Sequence, residues 1–232
     1  MLKRYQLLCL LLLMIFSCNR EDKDIEHKGC IPNTQIPTGT YGLSSNVIVS
    51  YNGNHCGYLP LSKKNYWIYT DSSTDANGQL QFKTTDTLRF LVTSRTPDGI
   101  IWWSRVPGTA NFALGYDSYF YSTDSTTYTI SKQYGDDIGI KWFYAIKNSP
   151  TAEDLYYSDV SSPCNAQRLS NNVTVPAGSF SNCMFFVKTN VWGNGIEYKI
   201  RYKPGLGILR CEASLGTRIV YTSTLINYYI EQ

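Results

Sequence analysis

Only two histidines occur in the 232 residues, His27 and His55. Both lie early, among loop-forming residues, before the strongest strand patterning begins. A serine or cysteine nucleophile needs a base beside it, most often histidine, and no Gly-x-Ser-x-Gly turn is present. Hydrolysis of a glycoside needs two carboxylates roughly 5–10 Å apart. The candidates are Asp136, Asp137, Glu153, Asp154, Glu197 and Glu212. Most of them fall in turn or helix-start settings. Glu197 and Glu212 fall on strands, with no common face established by the pattern. Aromatic stacking is the other chemistry on offer. Trp102 and Trp103 are adjacent, so a strand would point their rings to opposite faces, one into a core and one outward. With Tyr119 and Tyr121 they are the ligand-binding candidates. No Cys-x-x-Cys occurs, and the histidines are far from the later cysteines, so no metal site and no cofactor are expected. The reactive residues point toward binding rather than catalysis.

The cysteines divide by position. Lys3 and Arg4 precede an apolar run, Leu7 to Phe16, of about ten residues. A membrane-spanning helix needs roughly 20, so residues 1–17 read as a secretory leader. The junction Ser17-Cys18 resembles the lipobox of bacterial lipoproteins, in which the cysteine thiol is diacylated and becomes the first mature residue. Cys18 is therefore the expected lipidation site. Stable anchoring takes more than one acyl chain. Residues 18–39 follow as a polar tether. Its acidic start, Glu21 to Asp24, is similar to the surface-export signal of Bacteroidota lipoproteins. The expected location is the outer membrane, facing outward, with a periplasm-facing anchor as the alternative. Cys9 leaves with the leader, so five cysteines remain: Cys30, Cys56, Cys164, Cys183 and Cys211. An exported protein can form disulfides. The favoured pairs are Cys30–Cys56 and Cys183–Cys211 with Cys164 left over, and other pairings stay open.

Strands must position these residues. Tyr66 to Tyr69 is an aromatic run, and Leu80, Phe82, Leu88, Phe90 and Val92 alternate with polar residues. Ile100 to Trp103, Tyr119 to Ile130, and Ile138 to Tyr144 continue the pattern. The last third is clearest: Val173 to Val175, Phe180 to Lys188, Ile196 to Tyr202, Ile208 to Arg210, and Arg218 to Ile230. Turn signals separate them, among them Asp75 to Gly78, Pro97-Asp98-Gly99, Pro176-Ala177-Gly178 and Pro204 to Gly207. Pro163-Cys164-Asn165 reads as loop. Ser149 to Leu155 is the one helix start. The expected fold is all-β: an antiparallel meander forming one curved sheet or half-barrel, with at most one short helix. The β-rich domain covers 40–232, its main part from about residue 58.

Composition agrees. Tyrosine is abundant at 19, with 5 tryptophans, which suits pleated strands. Loss of Lys3 and Arg4 with the leader takes the basic count from 21 to 19 against 18 acids, a net charge of +1. That balance gives no electrostatic case for nucleic acid. Three fragments together resemble a pattern in exported lipoproteins of Bacteroidota that have no assigned catalytic residues. They are Tyr58 to Leu61 leading into Asn65 to Tyr69, then Val175 to Cys183, then Tyr202 to Ile208. The resemblance implies a half-barrel like the lipoprotein-carrier folds. It implies nothing about chemistry. Asp86-Thr87-Leu88 and Asp124-Ser125-Thr126 are similar to the O-glycosylation motif of the same bacteria, making Thr87 and Ser125 the candidate sites. The functional expectation is a lipid-anchored envelope protein, non-enzymatic, binding or scaffolding a glycan or an apolar ligand. The alternative is a glycan-binding or glycan-active surface protein of a polysaccharide-use system. The membrane is the expected partner, through the N-terminal lipid.

Overall fold

Aromatic, hydroxyl and β-branched side chains at alternating positions fit a pleated surface, and that surface is what the chain builds. The computed structural model describes residues 33–37, 47–53, 55–106, 117–131, 138–143, 164–189 and 195–231. Within them lie β1 (Val47–Val49), β2 (Tyr66–Thr74), β3 (Leu80–Arg95), β4 (Ile101–Arg105), β5 (Asp117–Ser122), β6 (Thr126–Ser131) and β7 (Ile138–Phe143). Then follow β8 (Cys164–Arg168), β9 (Val173–Val175), β10 (Gly178–Phe180), β11 (Met184–Thr189), β12 (Ile196–Lys203), β13 (Gly207–Leu215) and β14 (Arg218–Tyr229). No helix occurs among the described residues.

Twelve strands form one antiparallel sheet, in the order β7-β6-β5-β4-β3-β2-β14-β13-β12-β11-β8, with β1 added to β3. Most neighbours are consecutive, as in a meander. The exceptions are β14, which inserts between β2 and β13, β8, which pairs with β11, and β1 on β3. β3 is the joint. Its first part pairs with β2, from Leu80 to Arg89. Beyond a bulge between Phe90 and Val92 its end pairs with β4, and Thr93 to Arg95 also take β1.

One core cluster contains Trp103 and Phe120 from one end of this order and Phe186 and Tyr202 from the other. The sheet curls enough for Tyr58 to bond both the β5–β6 turn at Thr123 and the far side at Tyr202 and Gly205. The result is a curved, unclosed sheet, as the alternation predicts.

Segment 55–61 plugs the inside. The amide of Tyr58 donates to the carbonyl of Thr123 at 2.7 Å, and its own carbonyl accepts from Gly205 N at 3.1 Å. The Tyr202 hydroxyl donates to the same carbonyl at 2.8 Å, and the two tyrosine rings stack at 4.8 Å. A Cβ on Gly57 would lie 2.5 Å from the Thr123 oxygen, so only glycine allows this approach. The β9–β10 hairpin brings Val173, Val175 and Phe180 into the same core.

Three expectations change. Cys164 to Arg168 is a strand, not loop: β8 pairs with β11 throughout. Its sequence hides this because Ala166 is the one apolar side chain at its centre, and backbone bonds do the pairing. Phe180 to Lys188 is not one strand. Asn182, with a φ of 49°, breaks it into β10 and β11. Finally, Cys183 and Cys211 are not joined; both are buried thiols. The Cys183 sulfur donates back to its own turn, to the Phe180 carbonyl at 3.3 Å, while Cys211 lies mid-strand opposite Ile200 and Ser223. Cys56 is disulfide-bonded. Cys30, its proposed partner, lies outside the described residues, as do Cys18 and the Ser149 to Leu155 helix start. Residues 33–37, assigned to the tether from sequence, pack on β5: Asn33 Nδ2 donates to Ser122 O at 2.8 Å.

Candidate functional site on the inner face of the sheet

The alternation along β2 carries Trp67, Tyr69 and Asp71 to the inner face, and all three are buried. Trp67 and Tyr69 are satisfied. The indole donates to Leu206 O at 2.7 Å and the phenol to Ile208 O at 3.0 Å. Asp71 is different. It is 1% exposed, and neither carboxylate oxygen makes a well-formed hydrogen bond. On β14 its direct partner is Ser223, fully buried and likewise without a well-formed hydrogen bond. On β3, Asp86 lies opposite Tyr69, one step diagonal from Asp71.

A buried carboxyl without partners resists ionisation. Burial pushes Asp71 up to about 6. The hydroxyls of Ser223 and Tyr221 pull the other way, and the nearby Asp86 carboxyl adds to the rise. Burial also raises the phenol of Tyr69, with the Asp71 charge next and Cys211 after it.

Above this polar spot the inner face turns apolar and opens. Phe82 and Tyr221 both pair with Ser73, one on each side of β2, and their rings lie 6.4 Å apart. Phe82 and, on β13, Leu215 are exposed, at 46% and 45%, while the bulges after Ser73 and Ala213 turn Leu80 and Ile219 to the other face. The arrangement is a short apolar lip beside two carboxyls and a hydroxyl. Such a spot accepts hydrogen bonds and favours positive charge. It holds no base–nucleophile pair. His55 sits elsewhere, stacked on Tyr51 at 5.0 Å and edge-on to Trp103 at 6.1 Å. Among the described residues no group of three or more histidine, cysteine or acidic side chains is placed to hold a metal.

The residues singled out from sequence fall differently. Trp102 and Trp103 do point to opposite faces, but neither is exposed. Trp103 joins the main core. Trp102 joins a second cluster with Tyr121, Tyr128 and Ile130, on the face where Tyr121 donates to Gln35 O at 2.9 Å. The outward ring expected from the strand pattern is thus covered by the second cluster. Tyr119 packs beside it, partly buried. Glu197 and Glu212 share one face, since Lys199 pairs with Glu212 and Glu197 with Ser214. Both are ion-paired: Glu197 to Lys199 at 2.9 Å, and Glu212 to Arg201 at 2.6 Å and Arg210 at 2.8 Å. Asp136, Asp137, Glu153 and Asp154 lie outside the described residues. Thr87 is half-buried within β3; Ser125 is exposed at the tip of the β5–β6 hairpin. Asp71 and Asp86 were missed from sequence because they sit in hydroxyl-rich runs that read as solvent-facing. The available signal was parity: Asp71 is two residues past Tyr69, and Asp86 two before Leu88, each on the buried side of its alternation.

No family model matches this chain, and no curated protein does. Among solved structures, the chain is similar to a candidate lipoprotein from Parabacteroides distasonis at 12% identity and a TM-score of 0.40. It is also similar to a candidate exported protein with YmcC-like fold from Bacteroides fragilis, at 13% identity and a TM-score of 0.42. Each alignment covers 75% of this chain and 99% of the other. Likenesses this distant do not decide function.

Proposed function

We propose that this chain is a lipid-anchored envelope protein whose β-domain is a non-enzymatic binding module, with the inner face of the sheet as the binding surface. One observation carries the binding reading: a buried Asp71–Ser223 pair without a well-formed hydrogen bond, beside an exposed apolar lip. Buried polar groups are normally hydrogen-bonded, and a carboxyl perturbed by burial is a site candidate. Phe82 and Leu215 make the lip an apolar surface. The two inner-face carboxyls act on each other directly, whereas glycoside hydrolysis holds its acids roughly 5–10 Å apart with the sugar between them. A glycan-active enzyme is therefore the weaker reading.

The test of the binding surface is a thermal-shift screen of apolar and sugar ligands on the wild type and on Phe82→Ala. A ligand that shifts the wild type and not the variant locates binding to the lip. A ligand that shifts both equally places binding elsewhere and defeats the reading. The anchor is tested separately. Labelling with an alkyne-bearing palmitate is expected in the full chain and lost in Cys18→Ser. Outward exposure predicts that protease added to intact cells digests the domain; survival of the protein there would place it facing the periplasm.

A further inference from the structure

We propose that the inner-face site is built for an amphiphile with a cationic amine, its ammonium group received between Asp71 and Asp86 and its apolar stem lying on the Phe82–Tyr221 lip. The inference rests on the inner-face reading above and adds the charge and polarity of the ligand.

Charge is the argument. Several other carboxyls on the described surface already have a cation. Glu212 lies between Arg201 and Arg210, Glu197 meets Lys199, and Glu231 meets Lys64. No lysine or arginine is among the groups that act on Asp71; they are Ser223, Tyr221 and Asp86. Asp71 therefore has no countercharge among the groups that act on it, and Asp86 beside it adds a second acid. A buried carboxylate left in that condition is costly, and a bound cation would remove the cost. Ser223 is the second sign. Its hydroxyl is fully buried, faces Asp71 across the β14–β2 ladder closely enough to act on it, and makes no well-formed hydrogen bond. An ammonium group has three donors. Two carboxyls and one hydroxyl are three acceptors on one side.

The rest of the ligand follows from what surrounds this polar spot. Below it the core is closed by Tyr69, Leu225 and Cys211. Beside it Phe82 and Leu215 leave apolar surface exposed. A ligand that reaches the acids must therefore pass its remaining length along the lip, which matches an alkyl or aryl stem. A bare metal ion would leave the lip unused.

The probes are decylammonium, decanol and decanoate, each below its aggregation concentration, titrated calorimetrically into the whole mature domain at pH 7.5. Charged hydrogen bonds contribute roughly 1.5–3 kcal/mol, so decylammonium is expected to bind at least about tenfold more tightly than the other two. Asp71→Asn and Asp86→Asn should each erode that preference. Phe82→Ala should weaken all three probes together. Lowering the pH to 5 should erode the preference in the wild type, since Asp71 then takes a proton; the groups facing it are Asp86, Tyr221, Ser223 and Tyr69. Equal affinity for the three probes, still sensitive to Phe82→Ala, would overturn the amine inference and leave the inner-face reading standing. Binding by none of them would overturn both.

Discussion

Asp71 costs this protein stability. Its carboxyl titrates near 6 in the folded chain and near 3.9 when unfolded. Between those values the folded state holds more protons than the unfolded state, so stability falls as pH rises from about 4 to about 6. The loss is complete above that window. Asp71→Asn removes it, and we expect the variant to be more stable than wild type by about 1–2 kcal/mol at pH 7.5, after discounting for solvent screening. The gain should vanish at pH 4. Urea midpoints at both pH values test this, and a variant less stable than wild type at pH 7.5 would defeat it. His55 has the opposite sign. Burial holds its pKa below the ordinary 6.5, so the unfolded chain takes the proton first and stability is lost as pH falls below about 6.5. His55→Phe should flatten that acid limb of the stability profile. The thiols give a third residue-scale test. Cys183 and Cys211 should both alkylate with iodoacetamide after unfolding without a reductant, as read by peptide mass spectrometry. Failure of either to react would restore a disulfide.

At the scale of elements, turn chemistry and parity made most strands readable before the structure was known. Pro204 to Gly207 is a case in point. Gly205 and Gly207 have φ of 77° and 124°, values that glycine adopts and other residues resist. A Cβ on Gly207 would stand 3.3 Å from Leu59 Cδ1 and 3.5 Å from Trp67 Nε1. Gly207→Val should therefore destabilise by about 1–3 kcal/mol, measured by urea unfolding. Wild-type stability in that variant would mean the turn relaxes freely. What stayed unreadable has a common cause. β8 has almost no apolar side chains and is held by backbone bonds to β11. Asp71 reads as polar surface in sequence because hydroxyl neighbours on both sides mask its parity. The two tryptophans were correctly assigned to opposite faces, but no local pattern says that the second face is also covered. Burial of that kind depends on chain from far away, as in the Asn33 bond to Ser122.

The molecule as a whole has one main core serving both ends of its sheet. Trp103 from β4 and Phe186 from β11 belong to the same cluster. Truncating either should lower one shared transition rather than split it. We expect Trp103→Ala and Phe186→Ala each to lose about 3–5 kcal/mol, with fluorescence and circular dichroism midpoints coinciding. Midpoints that separate in either variant would show two independently folding halves.

The placement of β14 bears on how the chain is made. β14, which follows the other described strands in the chain, is not at the margin of the sheet but inside it, between β2 and β13. Until Arg218–Tyr229 has left the ribosome, no neighbour exists to join the two blocks of strands already made. A prematurely terminated chain would therefore present two bare ladders, those of β2 and β13, each ready to recruit another chain. Long-range pairing of this kind is slow, so a chain cut before Arg218 is expected to self-associate rather than close its sheet.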